Sequence, residues 1–277
     1  MKKFFNLNVD ASDWSCGFIG SLHDLRRSWQ QDWVGLPAVL RACQRVLGID
    51  GLRDREDLRV EALNLLALTI AEHMERQRAH KSAYHNNLHT ADVLVSVTVL
   101  LAIQMHLQPT IGVDKGWLAT VLTAAVGHDY AHPGGINQFP ADIESFSVKR
   151  IKAEIDSSVL NAVDPVDLAR VGQLILNTEA RLVPDNHSVV AKTDFCWGLP
   201  WCSVLLNEAD ILASATPEFG PDLGQLLVNE WVSRGVQGSR AIELKSFRLQ
   251  FLKFIQFSTP AAIALGLPEQ VRQQLNT

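Results

Sequence analysis

Nine histidines are spread along the chain, and four of them form two pairs spaced i,i+4. His85 pairs with His89 in Tyr84-His85-Asn86-Asn87-Leu88-His89, and His128 with His132 in His128-Asp129-Tyr130-Ala131-His132. Imidazole is a common metal ligand, and residues four apart on a helix share a face, so either pair could converge on one ion. A metalloprotease HExxH is excluded at the first pair, because Asn86 stands where its general-base Glu would be. The His128-Asp129 doublet offers a nitrogen and an oxygen ligand side by side, and a carboxylate can bridge two metals. A further acid, Asp210, interrupts the apolar run Leu205-Leu206-Asn207-Glu208-Ala209-Asp210-Ile211-Leu212, where burial is costly unless it is paired or coordinating. Each feature alone has an ordinary reading: a histidine at a helix end can be a cap or surface group, and Asp210 can sit in a salt bridge. Together they favour a metal site.

The elements that must position these residues read as helices. Apolar periodicity predicts helices over Leu58 to Arg78, Thr90 to His106, Trp117 to Val126, Val166 to Leu176, Trp201 to Ala215, Gly224 to Val232 and Ile242 to Phe257. No Asn-Gly or Asp-Gly turn joins alternating apolar runs, so nothing signals a hairpin. Pro133 to Pro140 and Arg181 to Pro200 read as loops, and Gln270 to Thr277 as a fraying end. The fold class expected is all-α, a multi-helix bundle. One domain is expected over residues 1–277, with flanking helices over 1–55 and the metal-binding core over 56–265. Trp197 and Trp201, bracketing Gly198-Leu199-Pro200, could wall a ligand pocket or serve core packing.

The 277 residues carry 25 Lys and Arg against 30 Asp and Glu, a net charge of −5, so there is no basic face to argue for nucleic acid. The stretch Val93 to Ile103 is too short to span a bilayer, and polar residues from Asn6 onward interrupt the apolar start of a signal peptide. Four scattered cysteines give neither a disulfide framework nor a CxxC zinc motif. The expectation is a cytoplasmic protein with neither membrane nor nucleic-acid partner.

Two segments resemble a known family. Tyr84-His85-Asn86-Asn87-Leu88-His89-Thr90-Ala91-Asp92-Val93 resembles the YHNxxHAxDV signature of class I cyclic-nucleotide phosphodiesterases, and residues 128–139 resemble their HDxxHPGxxNxF segment. The resemblance covers about residues 80 to 260 and is strong in these two motifs. It implies an all-α bundle of the HD-domain superfamily. It also implies hydrolysis of a 3′,5′-cyclic nucleotide (cAMP or cGMP) to the 5′-monophosphate by a hydroxide bridging two metals. His89, His128, Asp129 and Asp210 would hold a tight zinc or iron ion, with Asp129 bridging to a second ion, magnesium or manganese. His85 would be the general acid, and His132, Asn137 and Glu179 would orient water and ligands. Tyr84, Arg248 and Phe251 would line the substrate pocket. The partner implied is a small anionic phosphoester, and a homodimer is compatible with the resemblance.

Some positions depart from the family, several of them where the base is read. The family's SNP asparagine is Ala213 here, Arg248 stands where a purine-reading Gln is expected, and Thr178-Glu179 replaces Thr-Asp. Groups for phosphate and metals are kept while groups that read a purine are lost, which points to relaxed or altered base selectivity. Arg248 could instead favour an additional phosphate or carboxylate on the ligand. Two alternatives stand beside the phosphodiesterase: an HD-type phosphohydrolase for another phosphate ester, and a non-catalytic module that retains the metal.

Overall fold

The computed structural model describes residues 13–50, 58–77 and 82–276, and these contain helices and no strand. The apolar start Met1 to Phe5 lies outside the described residues. In chain order the helices are α1 Trp14–Gln31, α2 Leu36–Val46, α3 Leu58–Arg76, α4 Asn87–Leu107, α5 Lys115–Gly127, α6 Asp142–Glu154 and α7 Ser157–Ala162. They continue with α8 Pro165–Leu176, α9 Val183–Val190, α10 Leu199–Ala215, α11 Gly220–Ser233, α12 Leu244–Phe254, α13 Pro260–Ala264 and α14 Leu267–Leu275.

α4 is the axis of the bundle. α1, α2, α5, α10 and α13 all pack on it, and α3 and α8 pack on α5. Sixteen of its 21 residues are buried, a helix apolar all round because neighbours cover every face. Its length and hydropathy would suffice to cross a membrane, in contrast to the short stretch the sequence suggested, because the helix begins at Asn87 and runs to Leu107. Yet 83% of its most apolar window lies inside the molecule, so it is built as a core helix. The flanking helices expected over 1–55 are α1 and α2, whose Phe18, Leu22, Leu25, Leu36 and Leu40 join the same apolar cluster as Leu94 and Val97.

Helix starts are set by capping chemistry. The Asn86 side chain accepts the N–H groups of Leu88 and His89, and Asp114 accepts that of Trp117. α10 opens with Pro200 in its first turn, where a missing N–H costs nothing. All seven helices expected from periodicity are present, the last one shorter, at 244–254. α6, α7, α13 and α14 are additional, and α9 occupies the segment read as loop over 181–200. α9 was hidden because Asp185-Asn186-His187-Ser188 breaks the apolar pattern, although Pro184 marks its start. The tail expected to fray over 270–277 instead lies largely in α14, tied down through Gln274.

Candidate active site

Four short stretches bring the site together. The first runs from Tyr84 into the first turn of α4, and the second leaves the C-terminus of α5 with His128 and Asp129. The third is the late part of α10 with Asp210, and the fourth the late part of α11 with Glu230. His128 caps α5, and its Nδ1–H donates to the Ala125 carbonyl at 2.8 Å, which leaves Nε2 facing the site. A backbone partner of this kind fixes the ring and tautomer of a metal-ligating histidine. After Asp129 the chain turns back on itself. The His132 N–H donates to the Asp129 carbonyl, and Ala131 sits in the left-handed region at φ 57°. Gly127 makes the close approach of α5 to α6 feasible, since a Cβ there would lie 2.9 Å from Ile151 Cδ1.

The two i,i+4 pairs do not each converge as helix-face pairs. His85 precedes α4 and His132 lies in the turn after α5, so only one member of each pair belongs to a helix or its cap. The pairs are split crosswise. His89, His128 and Asp210 bring their ligand atoms together in one group, and His85, Asp129 and His132 do so in a second. In the first, His89 Nε2 lies 3.1 Å from Asp210 Oδ1 and 3.5 Å from His128 Nε2, and His128 Nε2 lies 3.4 Å from Asp210 Oδ1. Asp129 stands between the groups, its Oδ2 at 3.4 Å from both His89 Nε2 and His128 Nε2.

These distances fit a metal. Ligand atoms about 2.1 Å from a tetrahedral ion are about 3.4 Å from one another. Asp129 Oδ2 is buried with no hydrogen-bond partner, an oxygen otherwise costly to leave alone. The chemistry of the set, two imidazole nitrogens and two carboxylates, suits a divalent metal ion.

Charge reinforces the arrangement. Burial pushes the Asp129 carboxyl up, but His128, His85 and His132 outweigh it and hold it well below the usual carboxylate range. Asp210 is likewise held low, against burial, by His128 and His89. Both acids are therefore anionic and point at nitrogen donors. His132 is pushed down to about 4, chiefly by burial, and its Nδ1 accepts the Gly134 N–H at 2.9 Å, so the ring is neutral.

His85 is held differently. Its Nδ1 bonds the buried carboxylate of Glu230, whose other oxygen accepts the backbone N–H groups of Tyr84 at 2.7 Å and His85 at 3.0 Å. The ring stacks on His132, centroids 3.7 Å apart. Burial disfavours its charged form, yet Asp129, Glu230 and Asp210 together raise its pKa above the ordinary imidazole value. A protonated imidazole aimed into the site through Nε2 can deliver a proton. Sequence reading missed Glu230. The signal was present, an acid in the apolar run Leu226-Leu227-Val228-Asn229-Glu230-Trp231-Val232 like the one that exposed Asp210.

Asn137 and Glu179 support the edge of the site. Asn137 Nδ2 donates to both oxygens of Glu144 while its Oδ1 accepts the Ile143 N–H. Glu179 accepts the Ala141 N–H at 2.7 Å and pairs with Arg181, so its carboxylate fastens the loop to α6. Asp92 is buried and held by both terminal nitrogens of Arg26, at 2.8 and 2.9 Å, which makes it a brace between α4 and α1 and not a surface acid. Tyr84, Arg248 and Phe251 line one cavity. Arg248 is not free for an additional anion. Its terminal nitrogens donate to the carbonyls of Ser214, Ala215 and Thr216 and to Gln274 Oε1, closing the C-terminus of α10. Trp197 and Trp201 are absent from that cavity. Their indole N–H groups donate to the carbonyls of Gly112 and Asp194, and both rings pack on Phe195.

The comparison with known families falls on this same ground. Residues 84–165 match the family model described as 3′5′-cyclic nucleotide phosphodiesterase. The match supports a cyclic-nucleotide phosphodiesterase catalytic domain. The match holds His85, His89, His128, Asp129, His132 and Asn137. Asp210 and Glu230 lie beyond it and join the site through α10 and α11. The all-helical bundle agrees with that family, and the family is one of metal-dependent phosphodiesterases.

Proposed function

We propose that this protein hydrolyses a 3′,5′-cyclic nucleotide to its 5′-monophosphate with two divalent ions. The observation that carries the reading is Asp129, a buried carboxylate whose Oδ2 makes no hydrogen bond and which stands between two groups of metal-ligating side chains. His89, His128, Asp129 and Asp210 would hold zinc or iron, and the Asp129 side facing His85 and His132 would hold magnesium or manganese. Bound there, the ions would polarise phosphoryl oxygens and lower the pKa of water toward about 7.

The protein's own groups account for the rest. His85, whose charged form Asp129 and Glu230 favour, would donate through Nε2 to the departing sugar oxygen. His132, stacked on His85 and neutral, adds no charge against that proton. With a net charge of −5, the chain offers an anion no general attraction, so any pull on the phosphate is local to the cation sites. All four cysteines are free thiols, in keeping with the reducing, cytoplasmic setting proposed for it.

The test is chromatographic. Protein loaded with zinc and magnesium should convert cAMP or cGMP into the 5′-monophosphate. Release of the 3′-monophosphate, or no turnover with either, would contradict the reading.

A further inference from the structure

Asp129 is carried by a turn that its backbone alone would not hold. Directly after α5, the Tyr130 N–H donates to the Gly127 carbonyl at 3.1 Å and the His132 N–H to the Asp129 carbonyl at 3.1 Å. Between them Ala131 adopts φ 57°. For an L-residue with a Cβ this left-handed conformation is disfavoured roughly 5- to 30-fold. Glycine would escape the cost, and the short polar side chain of Asn or Asp would offset it, but the Ala131 methyl does neither. A strained residue of this kind persists only where its surroundings over-determine it.

The turn is gripped from both sides. On one side the His132 ring stacks on His85, and its Nδ1 accepts the Gly134 N–H. On the other, the Tyr130 side chain is fully buried and reaches both α3 and α6. Its hydroxyl donates to Glu154 Oε2 at 2.6 Å, which leaves the phenol oxygen to accept the His73 Nδ1–H. The His73 and Tyr130 rings are stacked, with centroids 5.7 Å apart, and Arg150 pairs with Glu154 from one turn earlier in α6. Phenylalanine would serve packing alone, so the hydroxyl is spent on these two partners. Neither His73 nor Glu154 belongs to the metal-ligating groups.

We propose that Tyr130 is a positioning residue: clamped by His73 and Glu154, it holds the strained turn that places Asp129 between the two groups of ligating side chains. It acts through Asp129 and not on the substrate. Both the bridging role and the clamp rest on the two-ion reading of the site.

The affinity on the Asp129 side is read directly, without turnover, by titrating zinc-loaded protein with Mn²⁺ alone and following electron paramagnetic resonance. Tyr130→Phe keeps the ring and releases the clamp. It should raise the Mn²⁺ Kd about 5- to 30-fold, the cost of the unheld turn, while zinc stays on His89, His128 and Asp210. Ala131→Gly removes the strain that the clamp offsets, so adding it to Tyr130→Phe should restore most of the lost affinity. A tyrosine that only stabilised the fold would lower Tm and leave the Mn²⁺ Kd where it was. An unchanged Kd in Tyr130→Phe, or a weakened one that Ala131→Gly fails to restore, would overturn the clamp and leave the two-ion reading standing. Wild-type protein that binds no Mn²⁺ beside its zinc would end that reading and the clamp with it. If circular dichroism shows Tyr130→Phe unfolded, His73→Leu, which cuts one arm of the clamp and spares the Tyr130 ring, enters the same comparison with the same outcomes.

Discussion

His85 and Glu230 carry the sharpest claims at the scale of single residues. The imidazole reaches the site through one nitrogen and is gripped at the other by a carboxylate that also takes two backbone N–H groups. Because it belongs to neither the His89, His128, Asp210 set nor its bridging Asp129, His85→Ala should leave the tight-site metal in place. It should lower kcat on the order of 10²- to 10⁴-fold, the usual worth of a general acid. Equal loss of tight-site metal and activity on elemental analysis would undo that role. Glu230→Gln keeps a hydrogen-bonding side chain but removes the charge behind the ring. Its kcat should fall by about 10- to 100-fold with the metal retained, and steady-state kinetics beside metal analysis would show it. At this scale the sequence was informative wherever chemistry is costly to bury, as at Asp129 and Asp210. It was misleading for Arg248, whose charge suggested a ligand while its partners, three carbonyls and Gln274, come from segments remote in the chain.

Among the elements, α4, α5 and α10 were legible because burial on all sides makes their composition unmistakable, and Asn86 and Asp114 supply caps. α9 was not, and its buried His187 shows why composition misleads there. His187 Nδ1 bonds Ser258 Oγ at 2.7 Å, whereas its Nε2 is buried without a partner. Burial pushes this imidazole down to about 4, below its ordinary value. The folded state therefore binds a proton less readily than the unfolded chain. The stability that neutral His187 contributes is fully present above about pH 6.5 and is lost as pH falls toward 4. Between pH 7 and pH 5 this group should cost about 2 kcal/mol at most. Urea unfolding of the wild type and of His187→Asn at the two pH values measures it. The variant should lose less stability on acidification, and identical losses would show that His187 is not the group responsible. The crosswise pairing of histidines also belongs to this scale. A spacing of four implies a shared face only inside a helix, and the chain leaves the helix before His85 and after His128.

For the whole molecule, the site residues run from His85 to Glu230, so the site exists only once α4, α5, α10 and α11 have assembled around one apolar cluster. Removing a divalent ion that binds only the folded protein should accordingly lower Tm, by mass action. Scanning calorimetry with and without EDTA would register the drop, and superimposable traces would contradict it. The fold class and helix order could be read from apolar periodicity, but the position of the cavity could not, because it depends on how α11 and α12 meet α10. The central claim is that His89, His128, Asp129 and Asp210 hold the metal that makes phosphodiester hydrolysis feasible. Elemental analysis of wild type and Asp210→Ala, with turnover measured on the same preparations and folding verified by circular dichroism, tests it most directly. The account predicts a folded Asp210→Ala protein that has lost its zinc or iron together with its activity. A folded variant with unchanged metal content would contradict it.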